Sequence, residues 1–225
     1  MYSTKIDPKF NKNQNPKIGL IALASDYTIE KDFINVIKNK KIDFFVNRIE
    51  CFNPLSSENL VKMSEKITEV AKDILPDEKI DCVVYGCTSG TIAAGYESIE
   101  KKIKLVKPEA EVITPSTASV KALKSLNLNK ISIFTPYPKK LNDEVITFFK
   151  KENFKITSNS YFDIESDIDI GKVDQDYLYD VLSKMDLSGA DALFISCTAL
   201  PVLSIIDKLE KKIGKVVLSS NQAVI

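Results

Sequence analysis

The chain has 225 residues, with 31 Lys+Arg against 31 Asp+Glu, so its formal net charge is zero. That size buries roughly 70 % of the unfolded chain's surface, enough for a full hydrophobic core, and an even charge balance argues against nucleic acid as a main partner, because phosphate contacts call for a basic excess. Histidine is absent, which removes Ser-His-Asp triads, Cys-His dyads and His-ligated metals and leaves Cys, shifted carboxylates, Lys or Tyr for acid–base work near neutral pH.

Residues 1–17 are polar, rich in Asn, Lys and Pro, and without period; they read as a flexible N-terminal arm. Residues 18–24 read as a buried strand, 30–40 as a helix and 42–49 as a second strand. Leu60, Met63, Ile67, Val70 and Ile74 recur at helical spacing and make one apolar helix face. Residues 82–85 read as a third strand and 111–114 as a fourth, followed by a helix carrying Val120, Leu123 and Leu126. The pattern then restarts, with a strand at 131–135, a helix marked by Leu141, Val145, Phe148 and Phe149, and a strand at 154–162. Asp174 reads as a helix N-cap, with Tyr177, Leu178, Val181, Leu182 and Met185 on the buried face. Strands at 192–195 and 215–218 follow. Strands alternating with helices predict βαβ units around parallel sheets.

The restart is an internal repeat. Asp81-Cys-Val-Val-Tyr-Gly-Cys-Thr-Ser89 matches Asp191-Ala-Leu-Phe-Ile-Ser-Cys-Thr-Ala199, with Cys87 and Cys197 110 residues apart. Val112–Val120 matches Val216–Val224 at an offset of 104, and the first strands begin at Ile18 and Ile131, 113 apart. Near-equal offsets in one order predict two similar α/β lobes of about four strands each, related by an approximate two-fold axis. Lobe 1 takes residues 18–117 and lobe 2 residues 118–225, with 216–225 a candidate to cross over. The first copy continues into a helix after Thr117, whereas the second stops at Ile225, so a closing helix is expected to be missing.

Each half places Cys-Thr directly after an apolar strand that ends in a small residue, Gly86 or Ser196. Ligands bind beyond the carboxyl ends of parallel strands. A cysteine there, at the start of a helix, has free N–H groups and a dipole that favour its thiolate; Pro201 fits the first turn of the second such helix. A lone cysteine in this place would read as a small buried hydrophobe, but two at equivalent ends of a repeat point to chemistry. Cys51 and Cys82 lack that context and read as structural. Four cysteines without a Cys-x-x-Cys exclude a disulfide framework and a zinc ribbon. No signal peptide or long apolar run is visible, so a reduced, cytoplasmic protein without a membrane partner is expected.

Gly86-Cys-Thr-Ser-Gly90, Ser196-Cys-Thr198 and Ser219-Ser-Asn-Gln-Ala223 together resemble the aspartate/glutamate racemase superfamily. Within it they are similar to the branch of maleate cis-trans isomerases, arylmalonate decarboxylases and ectoine-utilisation proteins. The likeness runs from Lys17 to Ile225 and includes Thr135-Pro-Tyr137; Ala24-Ser-Asp-Tyr-Thr-Ile-Glu30 looks most like the ectoine-utilisation proteins. The resemblance implies cofactor-free chemistry in a cleft between the lobes, with Cys87 and Cys197 on opposite faces of the substrate. One thiolate takes a proton or adds to a double bond while the other thiol supplies a proton. Thr88, Ser89, Tyr137 and Thr198 match the family's carboxylate-binding positions.

Arylmalonate decarboxylases keep only the second cysteine, and both are present here. Maleate isomerases resemble Asn at the positions of Asp26 and Asp167. Two carboxylates in the cleft would suit a substrate that carries positive charge as well as a carboxylate, although Asp26 also reads as a plain helix cap. The expectation is therefore a two-lobed α/β fold and a cofactor-independent isomerase or racemase acting on a zwitterionic acid such as ectoine, hydroxyectoine or an amino acid. A maleate cis-trans isomerase is the alternative, followed by an arylmalonate-type decarboxylase or a non-catalytic ligand-binding protein. The expected site is Cys87 and Cys197, with Asp26, Thr88, Ser89, Tyr137, Asp167 and Thr198 binding the substrate. No metal or organic cofactor is expected, and a homo-oligomer is.

Overall fold

The structure is a computed structural model that describes residues 3–10 and 15–225. Of the N-terminal arm, residues 1, 2 and 11–14 lie outside the described residues. Residues 3–10 are exposed, and Lys17 already belongs to the first strand.

Lobe 1 comprises β1 (Lys17–Leu23), α1 (Ile29–Ile37), β2 (Asp43–Ile49), α2 (Ser57–Ser64), α3 (Ile67–Lys72), β3 (Cys82–Gly86), α4 (Thr88–Ala94), α5 (Tyr96–Lys104) and β4 (Glu111–Ile113). Then come α6 (Pro115–Ser125), β5 (Lys130–Thr135), α7 (Lys139–Lys151), β6 (Lys155–Tyr161), α8 (Asp167–Ile170), α9 (Gln175–Ser183), β7 (Ala192–Ile195), α10 (Ile206–Ile213), β8 (Val216–Ser219) and α11 (Ser220–Val224). The strands form two four-stranded parallel sheets, ordered β2-β1-β3-β4 and β6-β5-β7-β8. The repeated order is the structural form of the sequence repeat.

Central strands read as unbroken apolar runs because helices cover both faces of a parallel sheet. β7, Ala-Leu-Phe-Ile, is fully buried, whereas edge strand β6 carries Thr157, Ser158, Asn159 and Ser160 and is largely exposed. One continuous core spans both lobes, and a smaller cluster of Leu20, Ala22, Ile29, Phe33, Val84 and Val224 covers the other face of the first sheet. In each sheet the chain order reverses between the two central strands. The carboxyl ends of β1 and β3, and of β5 and β7, therefore make two switch-point crevices of the kind that bind ligands.

Several local expectations are corrected. The apolar stripe from Leu60 to Ile74 is divided into α2 and α3, with Glu65 and Lys66 donating to the carbonyls three residues back. Asp174 caps α9 by accepting the Tyr177 N–H at 2.8 Å, but Tyr177 itself is exposed; Leu178 and Leu182 make the buried face, and the Tyr177 ring stacks on Phe162. Leu126 is the C-cap of α6 and is exposed.

The closing helix expected to be missing does begin. Ser219 accepts the Gln222 N–H at 3.1 Å, and the Gln222 side chain accepts the Ser219 N–H at 2.9 Å. This Ser-x-x-Gln capping box starts α11. β8 remains in the second sheet, and it is the segment after it that reaches lobe 1: Val224 enters the smaller cluster and Asn221 Nδ2 donates to Asp32 Oδ2 at 2.7 Å.

Ser220 ties the lobes at this crossing. Its Oγ accepts from the Thr88 hydroxyl at 2.8 Å and from the Cys197 N–H at 3.1 Å, all three residues being buried. Ser220→Ala leaves both donors without an acceptor, which costs about 1–3 kcal/mol. The urea midpoint should fall by that equivalent with the slope unchanged.

Candidate active site

The first cysteine unit begins at Gly86, where a Cβ would lie 2.8 Å from Ile29 Cδ1 and 3.2 Å from the Ile21 carbonyl, so a larger residue would have to push the Ile29 side chain aside and crowd β1. Cys87 then serves as the N-cap of α4, in an ordinary extended conformation (φ −145°, ψ 113°). Its Sγ accepts the Gly90 N–H at 3.2 Å and lies 3.9 Å from Ser89 Oγ. The N-cap position that usually holds a Ser or Asp oxygen holds a sulfur here.

The second unit is built differently. Cys197 has φ +120°, a region that side-chain-bearing residues rarely occupy. No helix follows directly, contrary to the sequence expectation, and Pro201 is not in a first turn: a 3-10 turn spans Leu203–Ile205, and α10 follows. The carbonyls that would begin a helical ladder are already engaged. Thr198 O accepts from Asn221 Nδ2, Ala199 O from the Thr28 hydroxyl and Pro201 O from Gln175 Nε2. The strained cysteine is pinned by the Cys197 N–H to Ser220 bond and by Ser196 N–H donating to Phe134 O at 2.9 Å.

All eight residues expected in the site, Asp26, Cys87, Thr88, Ser89, Tyr137, Asp167, Cys197 and Thr198, are at most 4 % exposed. They meet in the seam between the lobes. The Tyr137 hydroxyl lies beside the Cys197 thiol and is also close to Cys87, and Asp167 acts electrostatically on both thiols. Thr88 and Thr198 spend their hydroxyl protons on ties across the seam, to Ser220 Oγ and to Gly86 O at 3.0 Å.

Asp26 caps the start of α1, as one of its two readings expects. Oδ1 accepts the N–H groups of Thr28 at 2.6 Å and Ile29 at 3.0 Å, starting α1, while Oδ2 is buried and has no hydrogen-bond partner. Asp167 arrives from lobe 2 on α8. It accepts from the Ser25 hydroxyl, and its own N–H donates to Asn53 Oδ1 at 3.2 Å.

Ser25, Asn53, Cys51 and Tyr85 were not singled out from the sequence. Ser25, Cys51 and Asn53 follow β1 and β2 directly, so the strand-end rule applied to every strand would have found them. Cys51, read as structural, lies beside Ser25 and Asp167 and acts on Cys87.

Desolvation dominates the electrostatics. Burial pushes both the Cys87 and Cys197 thiols well above the ordinary range, and the Asp167 charge pushes the same way; the Gly90 N–H bond and the Tyr137 hydroxyl oppose it only in part. The expectation that a helix dipole brings the thiols near neutrality is corrected: α4 is short, and among the described residues no cation faces the sulfurs. Burial likewise raises Asp26, and raises Asp167 to about 6 despite its bond from Ser25. Among the described residues no group of three or more Cys, Asp or Glu has the arrangement of a metal site, and no helix is long and apolar enough to cross a membrane.

The family model for arylmalonate decarboxylase matches residues 40–225. The chain belongs to the arylmalonate decarboxylase family. That places it in the Asp/Glu racemase-like superfamily. Its relatives in the family include the maleate isomerase of Geobacillus stearothermophilus, 26 % identical over 219 residues that cover 91 % of this chain and 86 % of the relative, and that of Pseudomonas putida, 26 % identical over 218 residues with the same coverage. In fold, this member of the family superposes on the maleate isomerase Iso from Pseudomonas putida S16 with a TM-score of 0.85, at 20 % identity, covering 93 % of this chain and 89 % of the other. A cysteine-to-serine mutant of the Nocardia farcinica maleate cis-trans isomerase, carrying a covalently bound succinylcysteine intermediate, gives 0.84 at 21 % identity, covering 92 % and 89 %. Arylmalonate decarboxylase itself gives 0.69 at 20 % identity, covering 92 % and 88 %.

The buried acid has a measurable consequence. Asp167 holds its proton more tightly folded, near 6, than unfolded, near 3.8. Its contribution to stability is therefore complete below pH 3.8 and is lost as pH rises through about 6. Asp167→Asn, which can still accept from Ser25, should raise the melting temperature at pH 8, where the relieved cost is up to roughly 3 kcal/mol. At pH 3.5 it should leave the melting temperature unchanged. Scanning calorimetry at the two pH values checks the sign.

Proposed function

We propose that the chain is a cofactor-independent isomerase that uses Cys87 and Cys197 on a small carboxylic acid, with cis–trans isomerisation of the maleate-isomerase type as its leading reaction. The observation that carries this reading is the pair of buried thiols in one seam, sharing Tyr137 and Asp167 as neighbours, with only Cys87 accepting a helix-start N–H. The relatives found, maleate isomerases matched over nearly the whole chain, support cis–trans isomerisation over the stereochemical inversion of an ectoine-like acid expected from sequence.

The chemistry follows from the asymmetry of the two thiols. Cys87, as thiolate, adds to one alkene carbon and forms a C–S bond. The electron pair displaced onto the neighbouring carbon takes the proton of the Cys197 thiol, giving a saturated thioether. Rotation about the former double bond is then free. Return of the proton to Cys197 and departure of Cys87 restore the alkene in the other geometry. The succinylcysteine in the Nocardia farcinica relative is an adduct of this class.

A second reading is favoured by the acids. Asp26 and Asp167 are buried together, Asp26 Oδ2 has no partner, and the nearby Arg48 is engaged with Glu30 and with backbone carbonyls. Two carboxylates facing a dianion are repulsive; at an effective dielectric of about 20, like charges 4 Å apart cost roughly 4 kcal/mol. A substrate with an ammonium or amidinium group, as in amino acids or ectoines, would meet them favourably.

Two measurements test these readings. Cys87→Ser and Cys197→Ser should each abolish interconversion of maleate and fumarate while ligand binding persists; full activity in either variant sinks the pair. Calorimetry then decides the substrate. Tighter binding of maleate than of any amine-bearing acid by the wild type establishes the cis–trans reading, whereas the reverse order, with Asp26→Asn improving maleate, establishes the zwitterionic one.

A further inference from the structure

Tyr85 and Cys87 sit two residues apart where β3 ends, on the same side of the strand by its two-residue period. Tyr85 is wholly buried, and among the described residues its hydroxyl has no hydrogen-bond partner. Native proteins rarely leave such a group unpaired without a ligand, a water or a change of charge to satisfy it. Its place is fixed by Gly90. A Cβ on Gly90 would lie 2.7 Å from Cys87 Sγ and 2.9 Å from Tyr85 Oη. The thiol and the hydroxyl are thus neighbours over the bare Cα of this glycine.

The repeat adds an independent observation. Ile195 occupies the position of Tyr85 in the second lobe, two residues before Cys197. The hydroxyl is confined to the lobe whose cysteine accepts the Gly90 N–H.

We propose that Tyr85 is a positioning residue that donates its hydroxyl to the Cys87 thiolate, completing with the Gly90 N–H and the Ser89 hydroxyl a cradle of donors for the charged sulfur. A neutral thiol is a weak acceptor and asks little of the phenol. Once the sulfur ionises in a site closed to water, it needs donors, and Tyr85 is the uncommitted one beside it. The phenol stays protonated because burial and the thiols of Cys87 and Cys51 all oppose its charge. The titratable groups facing Cys87 are Tyr85 on its own strand, Cys51 after β2, Asp167 on α8 and Tyr137 after β5. Of these, the two tyrosines carry the strong donors that stay protonated throughout, Cys51 offering only a weak S–H, and Tyr137 lies against Cys197. The proposal rests on Cys87 as the sulfur that ionises, but its test needs no turnover.

The test is a pH series of iodoacetamide alkylation on the full chain, read at the Cys87 peptide by mass spectrometry, for wild type and Tyr85→Phe. Losing a hydrogen bond to the charged form should raise the apparent pKa of Cys87 alkylation by about 1. Alkylation below that pKa then slows about tenfold, while the rate at the alkaline plateau is retained. Because the hydroxyl has no partner in the resting protein, Tyr85→Phe should melt at the same temperature as wild type or higher. An unchanged alkylation profile overturns the proposal, whatever the melting temperature does; so does a lower melting temperature with an unchanged profile, which marks a merely structural hydroxyl. Tyr85→Met, a second variant without the hydroxyl, must shift the profile in the same direction. If the profile shifts and wild type leaves maleate untouched, the cradle stands and the reaction assigned to the site falls.

Discussion

Two thiols and two carboxylates are held out of water in the seam between the lobes, and the other features of the site answer that desolvation. Burial raises Cys87, Cys197, Asp26 and Asp167 together, so each group carries its charge only at a cost. A chain without histidine, and with no Lys or Arg facing the sulfurs among the described residues, cannot offset that cost with a cation. Neutral donors do what can be done: the Gly90 N–H at Cys87, the Tyr137 hydroxyl at Cys197, the Ser25 hydroxyl at Asp167 and the α1 N–H groups at Asp26. Burial of the two carboxylates lowers stability at neutral pH, and perturbed groups of this kind cluster at functional sites.

The pseudo-symmetry supplies two cysteines, and the departures from symmetry give them different capacities. Cys87 is an unstrained N-cap whose sulfur already accepts a hydrogen bond, as a thiolate would. Cys197 is forced to φ +120° by a loop whose carbonyls are claimed by Asn221, Thr28 and Gln175. Strain of about 1–3 kcal/mol at one residue persists only where the surroundings over-determine it. Here they do so through a bond network that crosses the seam, so the geometry of the second thiol depends on both lobes being docked. An addition–elimination reaction needs this inequality, with one sulfur to carry charge and bond to carbon and the other to carry a proton.

The seam is tied by polar contacts more than by apolar packing alone. Thr28 reaches Ala199, Thr198 reaches Gly86, Thr88 and Cys197 share Ser220, and Asn221 reaches Asp32. Each bond contributes little net free energy, but breaking one strands a buried partner. Small hydroxyl side chains next to the cysteines therefore register the lobes, and Thr88 and Thr198 engage their hydroxyl protons in doing so.

The sequence determined the strands, their parallel pairing, the repeat and the two Cys-Thr units, because those depend on apolar runs and local spacing. It also placed Asp26 at a helix start, a feature of three consecutive residues. It missed the break between α2 and α3, the helix start at Ser219 and the non-helical course after Cys197, where bonds from distant segments override local preference. Only the tertiary structure showed what opposes a thiolate: dipole and motif favour it, but burial, a property of the docked lobes, pushes both thiols upward. Only it brought Cys51 to Cys87 and Asn53 to Asp167, since their nearness follows from sheet order and lobe docking. Asp167, 141 residues from Asp26 along the chain, becomes its neighbour because α8 of lobe 2 packs on the strand ends of lobe 1, a contact that sequence spacing does not encode.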